Sequence, residues 1–268
     1  MSRLDGAVAV SVSEPPERDL EERGLSKDHV RHAFIEVCRQ VFARGGSIAY
    51  GGDLRRGGYT DTLLALLRTY SRADRPARQR VQQYLAWPVW TRMTDDEAES
   101  LAALTTVVEV PAVDPPDGRD GGSEARDYSA MREAMAKETA ARVVLGGRTS
   151  GQVGRWPGVV EEAYLALRAR QPLVVAGGIG GAADCVARAL RGDWPAELTA
   201  HFQATRTRGH DALAAAGVGP DEAEVRRVLL GANPRDGLDQ SARHALHGTA
   251  DLDLLVSLVL RSLVRVGA

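Results

Sequence analysis

The stretch Ile48-Ala49-Tyr50-Gly51-Gly52-Asp53-Leu54-Arg55-Arg56-Gly57-Gly58-Tyr59-Thr60 decides the fold that this sequence predicts. Its first residues are typical of a short buried strand, its glycines end that strand, and leucines from Leu63 to Leu67 recur at helical spacing. Such a junction exposes backbone amides and a helix N-terminus, which together favour an anion. Asp53 adds an acceptor for ribose hydroxyls and Arg55 a donor for phosphate. A tight turn with Asp53 capping the helix and a solvated Arg55 explains a single loop of this kind equally well.

Two further strand-to-glycine-to-helix junctions occur later in the chain. The buried run Arg142-Val143-Val144-Leu145 leads into glycines between 146 and 158, and Pro172 to Ala176 leads into Gly177-Gly178-Ile179-Gly180-Gly181. Ala7 to Ser13 reads as the first strand of the sheet. Because the carboxyl ends of parallel strands meet at one edge, we expect all these segments to share one ligand pocket.

Alternating strands and helices predict a doubly wound α/β fold with a mostly parallel sheet. Further strands are expected over Val81 to Trp87 and Thr105 to Val110. Residues 1–192 are expected to form the ligand-binding domain, and residues 193–268 a C-terminal helical extension packed on it or a self-association surface. The stretch from Pro111 to Gly122 is interpreted as too polar to pack and long enough to be a mobile lid.

Composition narrows the partners of the protein. The 268 residues carry 34 lysines and arginines against 36 aspartates and glutamates, and the net charge of -2 argues against broad electrostatic binding to nucleic acid or anionic membranes. Cys38 and Cys185 lack the spacing of a zinc or redox site, so we interpret them as core thiols. No signal peptide or uninterrupted apolar span is evident, which predicts a cytoplasmic protein with a small-molecule partner.

An ordered set of sequence blocks resembles the SLOG superfamily over roughly residues 5 to 190. The blocks are Leu25-Ser26, His29 and Arg31; Tyr50 to Thr60; Val144 to Arg148 continuing through Gly154 to Ala163; and Gly177 to Ala183. More narrowly, they resemble its prokaryotic branch related to the N-terminal domains of melastatin-type TRP channels. The superfamily includes cytokinin-activating phosphoribohydrolases, DNA-processing proteins and bacterial antiviral sensor domains for ADP-ribose-type ligands. The resemblance implies a Rossmann-like fold and a nucleotide-derived ligand.

One block bears on catalysis. Gly158-Val159-Val160-Glu161-Glu162, followed by Gln171-Pro172, is similar to the G-T-x-x-E and K-P pattern of nucleoside deoxyribosyltransferases and phosphoribohydrolases. The register of that pattern implies that Glu162 acts at the anomeric carbon of a sugar. Val159 replaces the usual threonine, and Trp156-Pro157-Gly158 replaces the proline-glycine-glycine signature. Favourable first-turn charge against the helix dipole explains at least one of the two glutamates equally well.

We therefore expect the protein to bind an ADP-ribose-like molecule or nucleoside phosphate as a ligand sensor, in an antiviral or stress-signalling system. Phosphate is assigned to the amides of Gly51, Gly52, Gly178 and Gly180 and to Arg55, Arg148 and Arg155, ribose to Asp53 and Glu162, and the base end to Ser11 and Ser13. The complete expected site is Ser11, Ser13, Glu14, Gly51, Gly52, Asp53, Arg55, Gly57, Gly58, Thr60, Gly146, Gly147, Arg148, Arg155, Gly158, Glu161, Glu162, Gly177, Gly178, Gly180 and Gly181.

The alternative is an N-ribosyl hydrolase or transferase that cleaves a nucleotide N-glycosidic bond with Glu162. A nicotinamide oxidoreductase is disfavoured, because the loose fingerprint Gly178-x-Gly180-x-x-Ala183 does not follow the first strand. No cofactor and no metal are expected. The expected macromolecular partner is a second copy of the chain or a neighbouring effector protein.

Overall fold

A computed structural model of the protein describes residue 4 and residues 6–52, 54–70 and 80–268. Six strands form one sheet in the order β4-β3-β2-β1-β5-β6, and every neighbouring pair is parallel. The strands are β1 (Ala7–Ser13), β2 (Ser47–Tyr50), β3 (Val81–Leu85), β4 (Thr106–Glu109), β5 (Ala141–Gly146) and β6 (Leu173–Ala176). The predicted doubly wound α/β fold is confirmed.

Helices cover both faces of this sheet. They are α1 (Glu17–Glu22), α2 (Lys27–Ala43), α3 (Tyr59–Tyr70), α4 (Trp87–Trp90), α5 (Asp95–Ala102), α6 (Ser123–Glu138), α7 (Gly158–Arg168), α8 (Gly181–Leu190), α9 (Ala200–Arg206), α10 (His210–Ala215), α11 (Glu222–Leu229), α12 (Gln240–Gly248) and α13 (Leu252–Val266). Short 3-10 turns lie at Pro116–Gly118, Gly177–Ile179 and Ala196–Leu198. In the described part of the chain, no helix is both long and apolar enough to cross a bilayer.

Strand β1 is the centre of the sheet and its switch point. The chain runs outward from β1 through β2, β3 and β4, and then returns to place β5 on the other side of β1. Helices that connect the two halves diverge at such a point and leave a crevice at the carboxyl ends of the strands. The topology therefore directs a ligand to the end of β1.

Side chains of the strands alternate between the two faces of the sheet, and the cores lie on these faces. Val8 and Val10 face the core beneath α2, α12 and α13, whereas Ala9 faces the core that contains Met131 and Met135 of α6. A third core lies beneath α7, α8 and α11 and includes Val144. Because alternation along a strand has a period of two, Ser11 lies on the same face as Ala9.

The helices after residue 193 are integral to these cores. Leu255, Val259 and Leu263 of α13 are fully buried in the same cluster as Val143 of β5. Leu229 of α11 is equally buried in the cluster beneath α7. The C-terminal helices thus contribute side chains to the cores of the sheet, and these cores continue across residue 192, the expected domain boundary.

Local sequence signals explain several element ends. Ser26 forms a capping box with His29 at the start of α2, and Thr94 forms one with Glu97 at the start of α5. The strand predicted over Val81 to Trp87 ends earlier, at Leu85, because a short helix begins at Trp87. Pro88 lies in its first turn, where a missing N–H is tolerated.

The polar stretch from Pro111 to Gly122 packs against the protein. Asp127 of α6 is fully buried and accepts hydrogen bonds from the Val113 amide at 2.9 Å and from Arg119 at 2.6 Å. The Arg119 guanidinium also lies 4.0 Å from the centroid of the Trp87 ring. Polar contacts therefore anchor this stretch to α4 and α6, although most of its residues are exposed. Its role as a mobile lid remains a prediction.

Candidate functional site

A cavity of about 470 Å³ opens at the carboxyl ends of β1 and β2, where the topology directs a ligand. The strand ends, the glycine turn after β2, the loop after β5 and the helices α2, α6 and α7 all contribute to it. The described lining residues are Val10, Ser11, Val12, Ser13, Glu14, Arg31, Tyr50, Gly51, Gly52, Arg55, Arg56, Gly57, Gly58, Tyr59, Tyr128, Arg132, Arg148, Gln152, Val153, Gly158, Val159 and Glu162.

The glycine turn between β2 and α3 is held from two sides. The Gly57 amide donates to Asp61 Oδ2 at 2.6 Å, which places the carboxylate at the start of α3. Arg31 of α2 donates to the Gly57 carbonyl and to Thr62 Oγ1, both at 2.9 Å. A side chain at Gly52 would lie 2.1 Å from the ring of Tyr50, so the close turn requires glycine there. These contacts present a preformed backbone turn to the cavity.

The charge of the described lining is positive. It includes the five arginines Arg31, Arg55, Arg56, Arg132 and Arg148 against two carboxylates, Glu14 and Glu162. The Arg148 side chain is exposed and has no ion-pair partner within the described ranges. An excess of guanidinium groups around a glycine turn favours an anionic ligand, above all one that carries phosphate.

A buried cation lies behind the base of the cavity. Arg142 of β5 is fully buried, and its Nη1 donates to Ser11 Oγ at 2.8 Å and lies 3.5 Å from Glu162 Oε1. Burial lowers the pKa of the Arg142 guanidinium, the Glu162 carboxylate opposes that effect, and Arg132 adds to it. Both Ser11 and Glu162 line the cavity, so Arg142 holds two lining side chains from behind.

The neighbouring glutamate has a different environment. Glu161 Oε2 accepts from Arg132 Nη1 at 2.6 Å, and its other oxygen accepts from the Ser129 hydroxyl. Both donors come from α6, so Glu161 joins α7 to that helix. Glu161 lines a separate surface hollow between α6, α7 and the loop at 217–220. Of the two glutamates, Glu162 is therefore the one at the cavity.

Tyr59, the first residue of α3, adds a neutral donor to the lining. Burial and, to a smaller extent, the Glu14 carboxylate raise the pKa of its phenol to about 12, against the opposing effect of Arg31. The Arg31 guanidinium lies 5.6 Å from the centroid of the same ring. Tyr59 thus keeps its proton at neutral pH and can donate a hydrogen bond to a ligand.

The structure brings about half of the predicted site residues together. Those that line the cavity are Ser11, Ser13, Glu14, Gly51, Gly52, Arg55, Gly57, Gly58, Arg148, Gly158 and Glu162. Thr60 is buried in the first turn of α3. Arg155 reaches the Gly219 carbonyl at 3.4 Å instead of the cavity. Asp53, which we expect to contact ribose, lies outside the described residues.

Gly146 and Gly147 have a packing role behind the cavity. Both have positive φ angles, and a side chain at Gly147 would lie 2.8 Å from Val159 and 2.9 Å from Ala182. The Gly147 carbonyl also accepts from the Ala182 amide at 2.9 Å. This glycine pair therefore allows the start of α7 and the start of α8 to approach the end of β5.

The third glycine loop is filled by the protein itself. A side chain at Gly178 would lie 1.8 Å from the Thr249 carbonyl, and one at Gly177 would lie 2.6 Å from the His247 carbonyl. The Gly181 amide donates to the Asp19 carboxylate of α1, and Arg23 links Asp19 to Asp184. Gly177, Gly178, Gly180 and Gly181 consequently do not line the cavity, because α1 and the loop after α12 occupy their side of the sheet.

Several lining residues have no forewarning in the glycine motifs. Arg31 lies in a helix without a glycine motif, and Tyr128 and Arg132 lie in a helix whose methionines suggest only core packing. Arg142 has a recognisable signal, since an arginine within an otherwise apolar strand needs a buried partner. Among the residues that the structure describes, no cluster of three or more His, Cys, Asp or Glu side chains could hold a metal ion.

Comparison with known proteins identifies a family match that includes the cavity. A protein-family model described as SLOG cluster2 matches residues 4–231. The matched range contains all six strands and the helices from α1 to α11, and it passes the expected boundary at residue 192. No curated protein matches the chain.

Proposed function

We propose that this chain, which belongs to the SLOG family, binds a nucleotide-derived small molecule in the cavity at the end of β1. The ligand carries phosphate, as ADP-ribose-like molecules and nucleoside phosphates do. The observation that carries the proposal is the lining itself, in which five arginines surround a glycine turn at the switch point of the sheet. Guanidinium groups and backbone amides are the donors that bind phosphate in proteins.

The two ends of the cavity suggest how the ligand is oriented. Arg55 and Arg56 belong to the glycine turn, and Arg148 follows β5, so positive charge gathers at the rim. Glu162 at the base disfavours an anionic group there. In this proposal the phosphate contacts the rim of the cavity, and the neutral sugar contacts the base of the cavity near Glu162. The expected ribose contact of Asp53 remains part of the proposal.

Calorimetry with ADP-ribose, ADP, AMP, adenosine and inorganic phosphate tests the proposal. We expect binding of at least one phosphorylated nucleotide and none of adenosine at the same concentrations. Arg148→Ala is expected to weaken that binding by about tenfold or more, because a charge-assisted hydrogen bond is lost. Arg227→Ala is the matched control, since Arg227 is an exposed arginine on α11 outside the cavity lining. Failure of every nucleotide to bind would exclude the proposed ligand class.

As a sensor, the protein would change its interaction with a partner when the ligand binds. That partner is either a second copy of the chain or a neighbouring effector protein. The resemblance to bacterial antiviral sensor domains supports this role in defence or stress signalling. Light scattering tests whether the partner is a second copy of the chain. It measures the molar mass of the purified protein with and without the ligand that calorimetry identifies. An unchanged mass in both samples would argue for an effector of a different sequence.

The second candidate function is hydrolysis of a nucleotide N-glycosidic bond. Its support is the position of Glu162, whose carboxylate lines the cavity beside the buried Arg142 guanidinium. A carboxylate there could stabilise an oxocarbenium-like centre as the bond to the nucleobase breaks, while water adds to the anomeric carbon and the proton that it loses goes to the departing nucleobase. Incubation with AMP and NAD, followed by chromatography for free base, tests this activity. Glu162→Gln is expected to reduce base release at least about a hundredfold, whereas exposed Glu133→Gln on α6 is expected to leave it unchanged.

A further inference from the structure

The base of the cavity is organised by one side chain that does not itself line it. Arg142 reaches from its position on β5 toward the carboxyl end of the sheet, where its Nη1 contacts Ser11 of β1 and approaches Glu162 of α7. Its Nε and Nη2 are buried without a hydrogen-bond partner among the described residues. Ser11 and Glu162 are therefore the polar groups that position the guanidinium, and the guanidinium positions them.

The contact with Arg142 assigns a direction to the Ser11 hydroxyl. A guanidinium is a donor only, so Ser11 Oγ must accept the hydrogen bond of 2.8 Å from Nη1. The hydroxyl hydrogen of Ser11 is then left for another acceptor. The described residues provide none, and Ser11 lines the cavity. Ser11 thus presents a donor to whatever occupies the base of the cavity.

Glu162 presents the complementary group. Its carboxylate is an acceptor with several lone pairs, and the approach of Oε1 to Arg142 Nη1, at 3.5 Å, leaves acceptor capacity for a ligand. Because both side chains reach the same nitrogen, Ser11 Oγ and Glu162 Oε1 cannot be farther apart than the sum of their two distances to it. The base of the cavity therefore offers one donor and one acceptor side by side.

We propose that Ser11 and Glu162, held by Arg142, read the two adjacent hydroxyls of a ribose and so make the cavity selective for ribonucleotides over deoxyribonucleotides. This inference rests on the proposed function. Each ribose hydroxyl can both donate and accept, so one hydroxyl donates to Glu162 while the other accepts from Ser11. A deoxyribose lacks one of these groups and leaves a buried side chain without its partner, which is costly. Phosphate does not fit this pair, because the Glu162 carboxylate repels it.

The edge of a nucleobase with an amino group also combines a donor with an acceptor. The experiment therefore distinguishes recognition of the ribose hydroxyls from recognition of the nucleobase. Calorimetry is performed with ADP, 2′-deoxy-ADP, 3′-deoxy-ADP and IDP, which alters the base edge and keeps both hydroxyls. We expect the dissociation constant to rise at least about tenfold for the deoxy compounds and to change little for IDP. Equal binding of ADP and both deoxy compounds, or discrimination against IDP alone, would overturn the inference.

Variants test the roles of the three side chains. Ser11→Ala and Arg142→Met are each expected to bring the ratio of dissociation constants for deoxy compounds and ADP toward one, the first by removing the donor and the second by releasing it. Ser11→Ala removes only a hydroxyl group, so the ratio can still be measured in this variant if Arg142→Met does not fold. Ser257→Ala on the exposed side of α13 is the matched control and is expected to keep the wild-type ratio.

The result also distinguishes this inference from the function on which it rests. If ADP and the deoxy compounds bind equally, the cavity binds nucleotides but Ser11 and Glu162 do not recognise the ribose hydroxyls. If ADP does not bind, recognition of its ribose is refuted, while binding of another phosphorylated nucleotide in the panel would still support the proposed function. A wild-type ratio that persists in Ser11→Ala would remove Ser11 from the proposal and overturn it.

Discussion

Arg132 and Glu161 form an ion pair of 2.6 Å that ties α6 to α7 at the side of the cavity. Arg132 lines the cavity, whereas Glu161 lines the neighbouring hollow, so the pair separates the two spaces. Both side chains are largely buried, with exposures of 14% and 7%. An anionic ligand in the cavity would therefore compete with Glu161 for the same guanidinium.

This competition predicts the effect of Glu161→Gln. Removal of the negative charge leaves Arg132 available to the ligand, so we expect the affinity for a phosphorylated nucleotide to rise about threefold to tenfold, the scale of a partly screened charge interaction. Calorimetry with ADP measures the change. Glu133→Gln, on the exposed side of the same ion-pair helix, is the control. Weaker binding in Glu161→Gln would show that the pair holds Arg132 in the orientation that binds ligand.

The pair of Arg142 and Glu162 predicts a non-additive pair of variants. Glu162→Gln alone leaves a buried guanidinium without its counter-charge, so we expect the free energy of unfolding to fall by about 3 kcal/mol. In the double variant Arg142→Met with Glu162→Gln, the unpaired charge is gone and most of that loss is expected to return. Urea denaturation of the four proteins measures the coupling. Additive losses would mean that Glu162 does not stabilise the guanidinium.

The third glycine loop predicts a contrast between two neighbouring glycines. A side chain at Gly178 would collide with the Thr249 backbone, so Gly178→Ala is expected to lower the free energy of unfolding by about 3 kcal/mol. Gly248 at the end of α12 has open space for a side chain, so Gly248→Ala is expected to be neutral or slightly stabilising. Denaturant titration compares them. Equal stabilities would contradict the close packing of this loop.

His247 predicts a dependence of stability on pH. Burial lowers the pKa of this imidazole to about 4, with the positive charges of Arg191, Arg243 and His244 adding to the effect and Asp236 opposing it. The unfolded chain, with its ordinary value near 6.5, then binds more protons than the folded chain as the pH falls below about 6.5. The stability contributed by His247 is therefore complete at neutral pH, is lost between about pH 6.5 and 4, and amounts to about 3 kcal/mol at most.

Substitutions identify the group responsible for this pH dependence. We expect His247→Gln to reduce the slope of unfolding free energy against pH between 6.5 and 4, because the titrating group is absent. His201→Gln is the control, since His201 is exposed and is not among the groups that shift the pKa of His247. Urea denaturation across this pH range provides the measurement. An unchanged slope in His247→Gln would assign the dependence to other groups.

Local sequence was sufficient to locate the six strands, although it placed the end of β3 two residues too late. The apolar run of β1, the capping box at Ser26 and the glycine turn after β2 are each formed by residues within a few positions of one another. Hydrophobic periodicity and capping chemistry act over that range, so a pattern in the sequence contains the relevant information. The parallel α/β fold and the position of the first glycine turn at the carboxyl edge of the sheet follow from these patterns.

Tertiary structure alone decided which of the similar glycine loops reaches the cavity. The loop at Gly178 has the same local character as the one at Gly52, but the Thr249 backbone, distant in sequence, fills it. Likewise, the hydrogen bond from Arg142 to Ser11 joins residues 131 positions apart and exists because β5 lies beside β1. Strand order and the packing of distant segments depend on the whole folded chain, so no local pattern could predict them.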